Sequence, residues 1–343
     1  MKRHGKLFQA IVDPSNIHLA YQRARKNKSR QRAVLRVESA LEASLETLRL
    51  ALIQKTFTTS SYREKTIYEP KQRVIYRLPF YPDRIVQHSL MNILEPIWSG
   101  MFINDSYACR QGKGIHAGSR RTMEFVRSYR YCLKCDISKF YPSVDHDILA
   151  RIIRKKIKCR DTLWLLDDII YSYPGGRNVP IGNYTSQWFG NLYLNELDQL
   201  LKHQHHVRAY IRYCDDFLLF DNDKGRLNNL SHVIEDFVGL RLRLRLSKCR
   251  LFPVKSGVDF LGYRHFPTHI LLRKSTVRRV KRHLAQLPGR LYSGRITSDQ
   301  FRSSIASTLG WMRWANTHNL RNALNIDALL ELCRDGTAPE EVQ

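Results

Sequence analysis

The sequence predicts an α+β fold, on three observations. Residues 1–60 are basic and read as helical, with apolar spacing near 3.6 from Val34 to Ile53 among strong helix formers. Ile211 to Phe220 sets two adjacent carboxylates, Asp215 and Asp216, between apolar strand-forming runs, the pattern of a hairpin. Leu240 to Leu246 alternates strictly between Leu and Arg, which predicts a half-buried strand with a cationic outer face. The chain has 343 residues and 43% hydrophobic content, enough to bury a core divided over about two or three subdomains.

The other elements follow in chain order. Residues 62–80 read as extended, and Pro82 to Ile97 as a helix opening on Pro-Asp and carrying Ile85, Val86, Leu90, Ile93 and Leu94. Gly112, Gly114 and Gly118 punctuate a loop that leads into a helix at about 116–130; the GxxxxGK[ST] spacing of a phosphate loop is missing. Tyr131 to Asp136 reads as a strand, followed by Phe140-Tyr141 at a turn stopped by Pro142. A helix to about 172 and a turn at Pro174-Gly175-Gly176 come next, and Ile181 to Gln187 then leads into an apolar helix from Trp188 to Leu201. Residues 227–240 read as helical, Phe260 to Tyr263 as a strand or tight hairpin, and the chain from Ser275 as a basic helical region with Arg278, Arg279, Lys281 and Arg282. The last few residues read as disordered, and no internal repeat is present.

Charge narrows the function. Fifty-seven Lys and Arg stand against 31 Asp and Glu, a net charge of +26. Arg23, Arg25, Lys26, Lys28, Arg30 and Arg32 crowd one stretch. Such an excess implies a polyanionic partner, most simply nucleic acid, with a membrane surface as the competitor. No apolar run approaches the roughly 18–20 residues of a spanning helix, and Met1-Lys2-Arg3-His4-Gly5 lacks the apolar segment of a signal peptide. Seven scattered cysteines predict reduced thiols and a cytoplasmic protein. Cys132 and Cys135 have the spacing of half a zinc site, but on a strand they point to opposite faces, so packed thiols are expected. His203, His205 and His206 have no ligand partners at useful spacing and read as a polar helix end or loop.

The Asp215-Asp216 pair carries the chemistry. Within a regular strand adjacent side chains point to opposite faces, whereas at a tight turn both carboxylates can point the same way. A turn presenting two carboxylates suits a divalent cation, which takes hard oxygen ligands. The bland alternative is an ordinary acidic turn.

A strand ending in Asp136, a Gly-initiated helix and a hairpin with Asp215-Asp216, in that order, resembles the palm of a reverse transcriptase. Arg73-Val74-Ile75-Tyr76-Arg77 through Asp83-Arg84-Ile85-Val86-Gln87 is similar to the first fingers motif, and Tyr107 through Gly118 to the second. Asp136 to Tyr141, Ile181 to Gln187 and Tyr213-Cys214-Asp215-Asp216 resemble the third, fourth and fifth; Lys248 and Phe260-Leu261-Gly262-Tyr263 fit the sixth and seventh. The family's usual fourth motif is Gln-Gly-x-x-x-Ser-Pro; here Ile181 replaces the Gln and Gln187 the Pro. That departure resembles the reverse transcriptases of diversity-generating retroelements, as do Tyr107 to Arg110, Lys113 to Gly118, Pro267 to Ser275 and Trp314 to Leu320. Cys214 departs from the commoner Met or Ala at its position, and a small apolar residue there is expected to leave the site working.

The resemblance implies a right-hand polymerase fold: a basic helical extension (1–60), fingers (61–130), a palm with an interleaved fingers segment (131–265), and a connection with a short helical thumb (266–343). It implies two Mg²⁺ ions, with Mn²⁺ an alternative, held by Asp136, Asp215, Asp216 and the Ile137 carbonyl. Arg73 would pair with the nucleotide triphosphate, with Arg77 and Arg84 weaker candidates whose alternative is surface charge. Tyr141 would lie under the sugar and exclude a 2′-hydroxyl, the alternative being a core aromatic. Lys248 would protonate the leaving pyrophosphate or be a solvated cation, and Phe260 to Tyr263 would form the primer grip. Ile181 lacks the hydrogen bond a Gln would make to the incoming nucleotide; a loss of about 1.4 kcal/mol in discrimination is roughly tenfold in selectivity. The resemblance implies selective error at template adenines, to which Ile181 with Arg73 would contribute, Gln187 being the motif's other departure; the alternative is that Ile181 only packs the start of a helix. The implied partners are template RNA, the cDNA primer and product, dNTPs and a small basic oligomeric accessory variability protein. No membrane is implied, and the setting is the cytoplasm of a bacterial, archaeal or phage-encoded system. A thumb of roughly 70 residues leaves no expected room for a nuclease domain. Two rivals stay open: an accurate group II intron-like or retron-like reverse transcriptase, and a basic RNA-binding protein with an inactive palm.

Overall fold

In the computed structural model the described residues are 3–68 and 72–334, so the expected disorder of the last few residues lies outside them. Helices α1 (Phe8–Ile11), α2 (Pro14–Arg25), α3 (Arg32–Glu38) and α4 (Leu41–Ile53) open the chain. At α2, Asp13 accepts from the Ser15 N–H and Pro14 occupies the first helical turn, which satisfies an orphan donor where Pro lacks one. The apolar run from Val34 to Ile53 is split at Ser39–Ala40, with Val34 and Val37 buried on α3 and Leu45, Leu48 and Leu52 on α4. Strands β1 (Arg63–Ile67) and β2 (Arg73–Arg77) pair antiparallel, Arg63 opposite Arg77. A kinked turn (Phe80–Arg84), with Tyr81 extended, precedes α5 (Ile85–Ser99), and α6 (Ile115–Ser128) leads to β3 (Tyr131–Ile137).

Next come α7 (Phe140–Ser143), with Pro142 inside it rather than ending it, then α8 (His146–Arg154) and α9 (Arg160–Tyr171). The single helix expected up to about residue 172 is therefore two. The link between them is drawn out by main-chain bonds from the His4 N–H to the Lys156 carbonyl and from the Lys158 N–H to the His4 carbonyl, both 2.8 Å. Helix α10 (Tyr184–Gln199) begins four residues before Trp188, so Gln187 lies in its first turn and not in a lead-in. Strands β4 (Ala209–Tyr213) and β5 (Asp216–Asp221), helix α11 (Lys224–Asp236) and strand β6 (Leu246–Pro253) follow, then β7 (Val258–Phe260), β8 (Tyr263–His265) and β9 (Ile270–Leu272). Helices α12 (Lys274–Tyr292), α13 (Ser298–Met312), α14 (His318–Ala323) and α15 (Ile326–Arg334) close the described chain. The sheet orders are β1-β2, β4-β5-β3-β6 and β7-β8-β9.

The Leu240–Leu246 strand is not formed. Residues 237–241 make a π-helical turn, Arg243 takes φ +50°, and the Leu242 and Leu244 N–H groups bond to Phe237 and Val238. Leu242 and Leu244 are buried and Leu240 is 80% exposed. An irregular segment that buries Leu242 and Leu244 on either side of an exposed Arg243 thus imitates the strand period.

The described chain forms two compact units. One comprises the stretch up to Gln111, Lys134–Leu218 and Asn228–Arg250; the other comprises Gly112–Leu133, Leu219–Leu227 and the chain from Leu251. In the first, Trp98 packs against Phe189 of α10, whose Trp188, Leu192, Tyr193, Leu194 and Leu197 are all buried. In the second, Tyr263, Leu272, Leu284, Phe301, Ile305 and Met312 form the core. Among the described residues no helix is long and apolar enough to cross a membrane.

Candidate active site

The Asp pair sits at the tight turn joining β4 to β5: Asp215 is in the turn and Asp216 is the first residue of β5. Cys214 takes φ +53°, a left-handed conformation that lets the chain reverse in two residues. Arg212 explains why a non-glycine residue is held there. Its guanidinium is fully buried and grips Asp198 of α10 through Nε to Oδ1 (2.8 Å) and Nη2 to Oδ2 (2.6 Å). It also donates to the Cys214 carbonyl at 3.1 Å, to Asn191 Oδ1 and to Ser106 Oγ. The Tyr210 hydroxyl donates to the same Asp198 at 2.6 Å. Burial alone would push the Arg212 pKa down, but Asp198 reverses this and holds the guanidinium charged. The turn is thus clamped from below through its own carbonyl.

Asp136 and Asp216 are engaged differently. Ser247 of β6 donates to Asp136 Oδ2 at 2.6 Å and to its carbonyl at 3.1 Å. Lys134 reaches Asp216 Oδ2 at 3.2 Å, while Asp216 Oδ1 is buried and accepts no hydrogen bond. Burial pushes the Asp216 pKa up to about 6; Lys134 opposes that rise, and the negative charges of Asp136 and Asp215 add to it. A buried carboxylate oxygen with no donor, flanked by two further carboxylates, has the donor chemistry for a hard divalent cation. Among the described residues no three His, Cys, Asp or Glu side chains stand as a ready-made metal cluster. Cys132 and Cys135 are buried in β3, and the Cys135 thiol lies 3.3 Å from that of Cys249, as packed thiols do.

Tyr141 lies on α7, just past the end of β3. Burial first, then the neighbouring Cys214, Cys109 and Asp215, push its hydroxyl well above the ordinary phenol range, so it stays neutral. Gly190 of α10 makes room: a Cβ there would stand 3.2 Å from the Tyr141 ring and 3.0 Å from that of Phe140. Ile137, at the end of β3, is buried.

The fourth segment is held through its main chain. The Tyr76 N–H donates to the Ile181 carbonyl at 2.8 Å. A Cβ on Gly182, at φ +126°, would come within 2.4 Å of the Tyr76 carbonyl, so only glycine fits. Gln87 caps the helix entry by accepting from the Tyr184 N–H at 3.0 Å. The Ile181 side chain is half-buried and Gln187 is exposed. Arg73 opens β2, exposed, and its charge reaches Cys214 at the turn. Arg77 and Arg84 instead line a recess of about 930 Å³ with Lys28, Arg36 and Arg63. Burial, and then repulsion from Arg77, push the Arg84 pKa down.

The first unit therefore holds Asp136, Ile137, Tyr141, Ile181, Gln187, Asp215, Asp216, Arg73 and Lys248, the last exposed on β6. Phe260 to Tyr263 belong to the second unit, as the β7–β8 hairpin, with Phe260 and Tyr263 fully buried. Sequence reading missed Arg212, Asp198, Lys134 and Ser247. Arg212 carried a signal, since a cation inside an apolar strand must find a partner; Asp198 and Ser247 carried none.

A strand-end carboxylate thus stands beside a hairpin carboxylate pair, with an aromatic and a cation close by. The family model described as reverse transcriptase (RNA-dependent DNA polymerase) matches residues 64–265, and the chain belongs to that family. It is an RNA-directed DNA polymerase with the right-hand α+β polymerase fold. It is 26% identical to protein YkfC of Escherichia coli over 281 residues, covering 66% of this chain and 72% of that one. It is 22% identical to the group II intron-encoded protein LtrA of Lactococcus lactis over 212 residues, covering 57% of this chain and 35% of that one. Over 89 residues it is 30% identical to nuclear intron maturase 1, mitochondrial, of Arabidopsis thaliana, covering 26% and 12%. Among solved structures, apo telomerase of Candida tropicalis truncated from its C-terminal domain aligns at a TM-score of 0.49 and 12% identity, covering 66% of this chain and 59% of that one.

Proposed function

We propose that this chain is the reverse transcriptase of a diversity-generating retroelement, copying a template-repeat RNA into cDNA with errors at template adenines for mutagenic retrohoming. The observation that carries the reading is position 181: an Ile, with no group to hydrogen-bond a nucleotide, at a place whose backbone is fixed by Tyr76. In this reading residues 1–60 are the basic extension, 61–130 the fingers, 131–265 the palm with its interleaved fingers segment, and 266–343 the connection and thumb. Asp136, Asp215, Asp216 and the Ile137 carbonyl would hold two Mg²⁺ ions, a reading supported by the buried Asp216 Oδ1, which accepts no hydrogen bond. When bound, such ions neutralise phosphate charge and activate the primer 3′-hydroxyl. Arg73 pairs with triphosphate oxygens, Tyr141 blocks a 2′-hydroxyl, Lys248 delivers a proton to pyrophosphate, and Phe260 to Tyr263 grip the primer. The recess of Lys28, Arg63, Arg77 and Arg84 gives an RNA backbone its cationic counterpart. A small basic accessory protein, joined to this like-charged chain through RNA or a local patch, and a cytoplasmic setting complete the proposal.

The test is cDNA sequencing from a defined RNA template with the wild type and Ile181→Gln. The expected result is roughly tenfold fewer errors opposite adenine in the variant, with extension largely kept; an unchanged adenine error rate defeats the proposal. The similarity to LtrA and the intron maturase favours a second reading, an accurate group II intron-like enzyme. Faithful wild-type copying of adenine-rich RNA would select it.

A further inference from the structure

Two segments singled out in the sequence, Lys113 to Gly118 and Trp314 to Leu320, take no part in the carboxylate site, yet within the second unit they meet. His116, in the first turn of α6, lies parallel to the Trp314 indole, with centroids 4.5 Å apart and planes 13° from parallel. The Arg120 guanidinium stands 5.5 Å from the same indole. Trp311 stacks on Tyr263 at 5.4 Å and meets His116 edge-on at 6.0 Å, and the Tyr263 hydroxyl donates to the Trp311 carbonyl. Beside this stack opens a recess of about 600 Å³ lined by His116, Ser307, Gly310, Trp311, Arg313 and Trp314. A Cβ on Gly310 would meet nothing within 4 Å, so that wall is open. Both indoles are only half-buried and Arg313 is exposed.

We propose that this recess binds one unpaired nucleotide of a nucleic-acid strand, its base against the Trp311, Trp314 and His116 surface and its phosphate on Arg313. Three features argue for that occupant. The volume falls within the roughly 300–1,000 Å³ of small-ligand sites. Aromatic faces stack on any base, which suits a strand of arbitrary sequence. The flanking groups are cationic, Arg313 at the wall and Arg120 over the indole, so the chemistry at the edge is phosphate recognition rather than apolar docking. Burial, and then the Arg120 charge, push the His116 pKa down, which keeps a neutral, stackable imidazole beside Trp314 at pH 7. The proposal rests on the family reading of the chain as a nucleic-acid polymerase. It adds a strand contact distinct from the carboxylates and from the Lys28 recess.

Single-stranded 12-mers, of RNA with 5-iodouracil in place of uracil and of DNA with 5-iodouracil in place of thymine, test it by photocrosslinking and affinity on the full chain. The expected crosslink maps to the peptide holding Trp311 and Trp314, and Trp314→Ala weakens binding roughly 5- to 150-fold. Trp314→Phe restores most of the affinity, which a merely unfolded thumb would not, and Arg313→Ala lowers the salt dependence by about one phosphate contact. Crosslinking by RNA alone identifies the template as the source; crosslinking by both identifies any unpaired strand. Crosslinks that map elsewhere, with Trp314→Ala binding within about twofold of wild type, overturn the proposal. Primer extension by the same wild-type preparation, measured in parallel, reports on the polymerase reading by itself.

Discussion

Two charged clusters lie within four residues of each other on one hairpin, and they are built on opposite plans. Arg212 and Asp198 are wholly sealed, with the carboxylate accepting from Arg212 and Tyr210 and the guanidinium donating onward to Asn191, Ser106 and Cys214. Asp216 is only half-buried, yet it keeps one sheltered oxygen without a donor and its pKa is pushed up to about 6. The first cluster spends its charge on geometry: removing either partner would strand the other in low dielectric. The second withholds part of its coordinating capacity. The difference teaches that a site can be rigid and unsaturated at once when separate residues carry the two tasks.

Neutralising one of the carboxylates proposed to hold metal breaks that division at its functional end. Asp215→Asn is expected to lower primer extension by at least about 10³-fold, on the order of several kcal/mol of lost charge stabilisation, with circular dichroism unchanged. Activity within tenfold of wild type would remove the carboxylates from the chemistry. At the structural end, Arg212→Met is expected to cost about 3–5 kcal/mol in urea unfolding, and adding Asp198→Leu to recover much of it. Equal losses for the single and double variants would show that packing, not charge, is what the pair supplies. Ser247→Ala removes the donor to Asp136 Oδ2. The half-saturating Mg²⁺ concentration for extension is expected to rise roughly 10- to 100-fold, with smaller change at saturating metal. The smallest effect is on stability without metal, and its sign is opposite to that of Arg212→Met: Asp216→Asn is expected to stabilise by roughly 0.5–2 kcal/mol at pH 7.

The pH dependence of that last effect follows from the raised pKa. Between the unperturbed value of 3.8 and about 6 the folded state holds a proton on Asp216 that the unfolded state has released. Stability from this group is therefore present below about pH 4 and declines as pH rises toward 6. Thermal unfolding without Mg²⁺ should show the decline in wild type and lose it in Asp216→Asn.

The hairpin, the strand end at Asp136 and the buried helix α10 were legible because each has its own local signal: paired apolar runs, a turn, a helical period. The α+β class and the ordered segments rested on those. The Leu240–Leu246 alternation misled because period two reports only which side chains are buried, while Arg243 at φ +50° and the turn onto Phe237 and Val238 are set by tertiary bonds. The division of the helix near residue 157 depends on His4, some 150 residues away in sequence, and no window on the sequence contains both. Ser247 and Asp198 escaped notice for the same reason. A serine on a polar strand and an aspartate in a helix are ordinary until the fold brings Asp136 and Arg212 to them.

The bond from the Tyr76 N–H to the Ile181 carbonyl has a consequence for how this enzyme can change. A main-chain tie is blind to the side chain it carries, so any L-residue of similar bulk inherits the same backbone course at 181. The neighbouring Gly182 has no such freedom, because the Tyr76 carbonyl occupies the space of its Cβ. Position 181 is thus a socket and 182 a weld. An exchange at 181 therefore changes the side chain presented there while the backbone keeps its course.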